Sequence, residues 1–179
     1  MYGADLETIE TQIALCKASL TRMSASAGTG NAQQAAVNAG EWLRQLIESW
    51  RLRCPSTRLK LAIPDAGARI SDVPEVSQIM ITLLDNAAQA TRANDGVVSV
   101  SLSLQERAAA FEIEDRGPGI APALLKRLGY QPVASTSGGQ GLGLMLAFAT
   151  ARQIGARIEL ASRPGAGTIV TFTVPTHAE

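Results

Sequence analysis

Two stretches of alternating apolar and polar residues lie back to back in the middle of this chain, and the second carries a carboxylate on its apolar side. Val98 to Leu104 alternates with serine, and Ala109 to Asp115 follows after four residues, a spacing suited to a hairpin. In the second run Phe111, Ile113 and Asp115 share one phase, so whatever buries the phenylalanine also turns the aspartate towards the core. A carboxylate taken out of water must find donors. The chain must therefore build a sheet with one covered face and a polar end to that face.

The cover comes from helices on either side. Asn38 and Glu41 have capping-box spacing, Val37 and Trp42 are placed for a hydrophobic staple, and Leu43, Leu46, Ile47 and Trp50 continue as a helical stripe. Asp72 and Glu75 have the spacing of another capping box and, with Pro74 in the first turn, open a helix whose buried face is Val76, Ile79, Met80, Leu83, Leu84 and Ala87. A short helix is expected near 122–128, and a long one from Leu142 to Ile154, stopped by Gly155. Leu59, Leu61 and Ile63 suggest a short strand. Arg157 to Ser162 and Thr168 to Val174 form a closing pair around a Pro-Gly turn. The expected class is α+β, helices layered on one face of a mixed sheet.

The N-terminal stretch is different. Leu6, Ile9, Ile13, Cys16, Leu20 and Met23 are spaced 3, 4, 3, 4, 3, the seam of a coiled coil or helical bundle. One helix cannot bury such a seam alone. Residues 1–25 are read as one helix of a bundle, 26–37 as a linker, and 38–179 as the main domain.

Composition removes several classes of function. Sixteen basic and sixteen acidic residues cancel, so nothing in the charge points to nucleic acid. No apolar run approaches the ~18 residues of a membrane span, and no signal peptide is visible. With one histidine, His177, near the end, and with Cys16 and Cys54 far apart, zinc and Ser-His or Cys-His chemistry lack their parts. His177 reads as a frayed tail residue. Two cysteines in a chain this long fit a reducing compartment.

Four pieces remain that can carry chemistry. Thr82, Asn86 and Gln89 line one side of the helix that begins near Asp72. An amide oxygen such as that of Asn86 suits magnesium. Asp115-Arg116-Gly117-Pro118-Gly119-Ile120 puts the buried carboxylate beside a glycine turn, where an exocyclic amine of adenine is a fitting donor. Gly138-Gly139-Gln140-Gly141-Leu142-Gly143 precedes a helix, whose bare amides and dipole favour phosphate. Gly165-Ala166-Gly167-Thr168 turns a hydroxyl inward, where it can join Asp115. Taken singly, each has a plainer reading: a solvated helix face, a capped turn, a flexible loop, a hairpin.

Together, in this order, the four resemble the N, G1, G2 and terminal Gly-Thr boxes of the GHKL ATPase superfamily, and within it the catalytic domain of histidine kinases. The resemblance covers roughly residues 38–175. It implies a Bergerat α/β sandwich that binds ATP and Mg2+. It implies Asn86 as magnesium ligand, Asp115 as adenine reader, and Gly117, Gly119 and Ile120 around the base. Gly139, Gly141, Leu142 and Gly143 fall at the triphosphate, and Thr168 beside the base. Many such kinases carry asparagine where Thr82 stands and lysine where Gln89 stands. Gln89 is kept as a nucleotide contact, with Arg92 and Arg116 as phosphate candidates.

ATPases of the gyrase, mismatch-repair and heat-shock type, and anti-sigma serine kinases, place a glutamate base where Thr82 stands. A degenerate module that binds nucleotide without transfer stays open. The phosphoacceptor histidine is absent, so the implied partners are a dimerisation domain that carries it and a response regulator. A homodimer through residues 5–24 is also implied. The implied setting is a cytoplasmic domain of an inner-membrane sensor kinase. Gly40-Glu41-Trp42-Leu43, a short lid from Tyr130 to Gly138 and Cys16 on the preceding helix look most like the redox-responsive RegB/PrrB/RoxS type, which makes Cys16 a redox candidate.

Overall fold

The structure, a computed structural model, describes residues 36–64, 67–92, 96–129 and 142–177. The expected N-terminal helix with Cys16, residues 26–35 of the linker, and the lid with Gly139 and Gly141 lie outside the described residues.

The first helix, α1 (Ala39–Arg53), begins where its sequence says it should. Asn38 is extended, and its side chain accepts from the N–H groups of Gly40 and Glu41 at 2.9 and 3.0 Å. The second, α2 (Val73–Thr91), starts beside Pro74, but the capping box expected at Asp72 does not form. Asp72 sits at φ 52°, ψ 39°, in the left-handed region, and its side chain makes no cap bond. Only its carbonyl engages the helix, accepting from Val76 N–H at 2.9 Å.

Two tryptophans join these helices. Trp42 Nε1–H donates to Ser77 Oγ at 3.0 Å, and Trp50 Nε1–H donates to Asp85 Oδ1 at 2.7 Å. Each indole thus buries its ring while its one donor finds a partner. The pairs are equally spaced on both helices, so α1 and α2 run side by side in the same sense.

The described residues form a seven-stranded sheet in the order β1-β3-β7-β5-β4-β2, with β6 also paired to β7. The strands are β1 (Val37–Asn38), β2 (Arg58–Ala62), β3 (Arg69–Ile70), β4 (Val97–Gln105), β5 (Ala108–Asp115), β6 (Arg157–Ser162) and β7 (Thr168–His177). The β4–β5 hairpin turns on Glu106 and Arg107 alone, tighter than the four residues expected. Parallel β2 and β4 are linked by the connection that contains α2, while the β4, β5, β7 and β6 neighbours are antiparallel. Neither β1 nor β3 is visible in the sequence, because two residues have no period. The sheet begins at Val37, the last residue of the expected linker.

One face is buried throughout. Val98, Val100 and Leu102 of β4, Phe111 and Ile113 of β5, and Val170, Phe172 and Val174 of β7 meet the apolar stripes of α1, α2 and α4 (Leu142–Gln153). Phe111 lies opposite Phe172 in the β5–β7 register and stands edge-on to Trp42, with centroids 5.4 Å apart. Such ring pairs contribute about 0.5–1.5 kcal/mol beyond the area they bury. The serines of β4 and Glu112 and Glu114 of β5 alternate onto the opposite face. The short helix α3 (Pro122–Leu125) ends earlier than expected and gives way to turns.

His177 is not frayed. It closes β7 opposite Arg69 of β3, and its Nε2 lies 2.5 Å from Ser71 Oγ. The strand runs beyond Val174 because β3, which sequence periodicity does not reveal, gives it a neighbour there.

Candidate functional site

Asp115 ends β5 with its side chain on the covered face, 6% exposed. The alternation that buries Phe111 and Ile113 carries it there. Its Oδ1 accepts from Gly117 N–H at 2.8 Å, and the Thr168 N–H also donates to the carboxylate. Burial pushes the carboxyl above its ordinary value of 3.8, these two donors pull against that rise, and neighbouring Glu114 adds to it. Asp115 and Thr168 face each other in the β5–β7 register, and Thr168 is equally buried. The structure thus brings together the two groups expected at the base.

The turns that follow β5 and precede β7 are pressed backbone against backbone. Gly119 has φ 70°, and a Cβ there would lie 2.0 Å from the Arg163 carbonyl oxygen. Gly167 has φ 85°, and a Cβ there would lie 2.0 Å from the Asp115 carbonyl oxygen. No other residue type fits either place. Gly165 N–H donates to the Pro118 carbonyl at 2.7 Å, stitching the two turns together.

α2 meets this site from above. A Cβ on Gly117 would stand 2.7 Å from Ala90 Cβ, and one on Gly143 would stand 3.5 Å from Thr82 Cγ2. Thr82, Asn86 and Ala90 are successive turns of one helical face. Asn86 therefore lies between the start of α4 and the glycine turn after β5, and it is exposed. Thr82 itself is committed: its hydroxyl donates to the Gln78 carbonyl at 2.9 Å. Gln89 is half-buried on the same side of α2, Arg92 caps the helix end, and Arg116 is exposed beside Asp115. Leu142 and Gly143 are exposed in the first turn of α4. Among the described residues no cluster of three or more His, Cys, Asp or Glu side chains could hold a metal ion. A magnesium here would take most of its oxygens from phosphate and water, as that ion commonly does.

One contributor escaped the sequence reading. Ser162 ends β6 opposite Thr168, and its Oγ meets Ile120 N–H at 2.8 Å, the Gly167 carbonyl at 2.8 Å and Thr168 Oγ1 at 3.0 Å. The available signal was a pair of hydroxyl residues closing one hairpin, which is a weak one.

The chain and its fold have known counterparts. Residues 71–178 match the family model for histidine kinase-, DNA gyrase B- and HSP90-like ATPases, and the chain belongs to that family. Among curated proteins it is 36% identical over 104 residues to the sensory histidine kinase/phosphatase NtrB of Salmonella typhimurium, covering 52% of this chain and 30% of that protein. The chain thus spans less than a third of that relative's length. The fold matches the mycobacterial sensor histidine kinase MprB with a TM-score of 0.68 at 22% identity, over 80% of this chain and 99% of that one. It also matches full-length ShkA in complex with AMPPNP, with a TM-score of 0.68 at 23% identity, over 85% of this chain and 33% of that one.

Proposed function

We propose that residues 38–179 are the ATP-binding catalytic domain of a two-component sensor histidine kinase, transferring the γ-phosphoryl group to a histidine outside this chain. The observation that carries the reading is the place of Asn86. It stands on α2 between Gly143 at the head of α4 and Gly117, which touches both Ala90 and the Asp115 carboxylate. A nucleotide lying along that face would meet a base reader at one end and a helix N-terminus at the other. The match to a kinase solved with an ATP analogue supports the same reading.

On this reading Asp115 accepts a hydrogen bond from the exocyclic amine of adenine, and Thr168 contributes its hydroxyl. Gly117, Gly119 and Ile120 shape the wall around the ring. The amides of Gly139, Gly141, Leu142 and Gly143 hold phosphate oxygens at the positive end of α4. Gln89, Arg92 and Arg116 add polar and cationic contacts nearby. Asn86 offers its amide oxygen to magnesium, which when bound neutralises charge on the phosphates. The chain positions the phosphoryl group and stabilises its charge. It supplies no base at Thr82, whose hydroxyl is turned into its own helix. This favours transfer over the hydrolysis run by a glutamate at that place. Calorimetric titration with the ATP analogue AMP-PNP, with and without magnesium, tests the reading; absence of binding overturns it.

The Gly40-Glu41-Trp42-Leu43 opening of α1 supports placement with the RegB/PrrB/RoxS type. Residues 1–25 are then the second helix of a dimerisation domain, 26–37 a linker, and Cys16 a redox-responsive residue at a two-fold seam. The partners are that domain's phosphoacceptor half and a response regulator, and the parent protein is an inner-membrane sensor. Mild oxidant should crosslink the chain through Cys16 and not Cys54. Non-reducing electrophoresis of wild type and Cys16→Ser reads this, and a band that survives in the variant refutes it.

A further inference from the structure

We infer that Ser162 is a positioning residue which turns the base pocket into a wall of acceptors, so that it takes purines with a 6-amino group and rejects those with a 6-oxo group. The inference rests on the nucleotide reading of the site and goes beyond it.

The argument is a count of protons. Ser162 Oγ has three neighbours: Ile120 N–H at 2.8 Å, the Gly167 carbonyl at 2.8 Å and Thr168 Oγ1 at 3.0 Å. The amide can only donate, and the carbonyl can only accept. A hydroxyl has one proton and two lone pairs. Ser162 therefore gives its proton to Gly167 and receives the one from Ile120. Its remaining lone pair can serve Thr168 only if Thr168 is the donor. The Thr168 proton is thereby directed at Ser162, away from the base, and only lone pairs of Oγ1 remain for a ligand. Thr168 and Asp115 are both buried and face each other across β5 and β7. With the Asp115 carboxylate ionised, both groups offer acceptors alone. An exocyclic amine brings the donor they need, whereas a 6-oxo group meets two acceptors and a desolvated mismatch.

Ser162 touches backbone from both turns as well, Ile120 after β5 and Gly167 before β7. A purely structural role would lower affinity for every nucleotide alike. The positioning role changes the ratio between nucleotides. Replacing Ser162 with alanine leaves the Thr168 hydroxyl free to rotate and donate, so a 6-oxo purine gains a donor it lacked while a 6-amino purine keeps an acceptor it already had.

The test is calorimetric titration of the whole chain with AMP-PNP and GMP-PNP in magnesium, with thermal melts to establish folding. Ser162→Ala should narrow the AMP-PNP over GMP-PNP preference by roughly tenfold, the scale of one misdirected hydrogen bond. Ser162→Thr, which keeps the hydroxyl, should restore it. Thr168→Val, near in shape, should narrow the preference too, and Ser162→Ala added to it should narrow it no further. A preference unchanged in Ser162→Ala, or additive in the double variant, overturns the inference while the nucleotide reading stands. A wild-type chain that binds neither analogue overturns both. If Ser162→Ala does not fold, the threonine and valine variants still decide, since an unchanged preference in Thr168→Val removes the hydroxyl from base selection.

Discussion

At the scale of single residues, Asp115 makes opposite demands on folding and on binding. Its carboxyl is held above 3.8 by burial, so the free folded state binds that proton more tightly than the unfolded chain does. The protonated form's contribution to stability is complete below 3.8 and is lost as pH rises through the folded value. Once ionised, the buried carboxylate is a cost to the empty domain. In Asp115→Asn the denaturation midpoint should therefore improve relative to wild type as pH is raised from 3.5 towards 7 in a urea series; a constant gap refutes this. Nucleotide binding should move the other way, weakening by ~1–3 kcal/mol, because the amide presents a donor where the base needs an acceptor. Asn86→Ala separates differently. Binding of AMP-PNP in EDTA should be spared and the magnesium-dependent gain lost; equal loss with and without metal removes Asn86 from the metal.

Among elements, α1 offers the cleanest local test. Asn38 satisfies two amides that the helix cannot, and Asn38→Ala should cost about 0.5–2 kcal/mol in a denaturant titration. Trp42 and Trp50, both on α1 and both buried, report the unfolding by fluorescence. A midpoint unchanged within error contradicts the cap. This element was legible in the sequence because its cap, period and buried stripe agree. The buried phase of β5, and Thr168 facing Asp115, were legible for the same reason. The start of α2 misled because Asp72 has the right composition for a capping box but adopts a left-handed backbone. β1 and β3 were invisible, and with them the true end of β7. Ser162 was missed because its role depends on three groups that only the sheet register and two glycine turns bring to one atom. Residues whose partners lie within a helical turn or one strand phase can be read from sequence; those assembled from four segments cannot.

For the whole molecule, the expected behaviour is a chain that binds nucleotide and does not label itself. The four polar pieces are in the sequence, and a His-Glu or His-Asp phosphoacceptor motif is not. His177, the only histidine, lies against Ser71 at the end of β7. Incubation with γ-labelled ATP should leave the chain unlabelled by an acid-labile phosphate assay, and addition of a dimerisation domain bearing its histidine should label that domain. Stoichiometric phosphate on His177 contradicts this. No helix of the described residues is long and apolar enough to cross a membrane.

The order of the strands also sets a clock. β7 is hydrogen-bonded to β3, β5 and β6, and it is the last strand of the described residues. A chain emerging from the ribosome at about 5–20 residues per second therefore carries three strands that wait for one not yet made. Until Thr168 to His177 appears, Phe111 lacks Phe172 beside it and Asp115 lacks one of the two amides that hold its carboxylate. The pocket cannot exist in any shorter nascent chain, so a ribosome stalled before residue 168 displays an apolar β5–β4 hairpin, the kind of surface that chaperones cover.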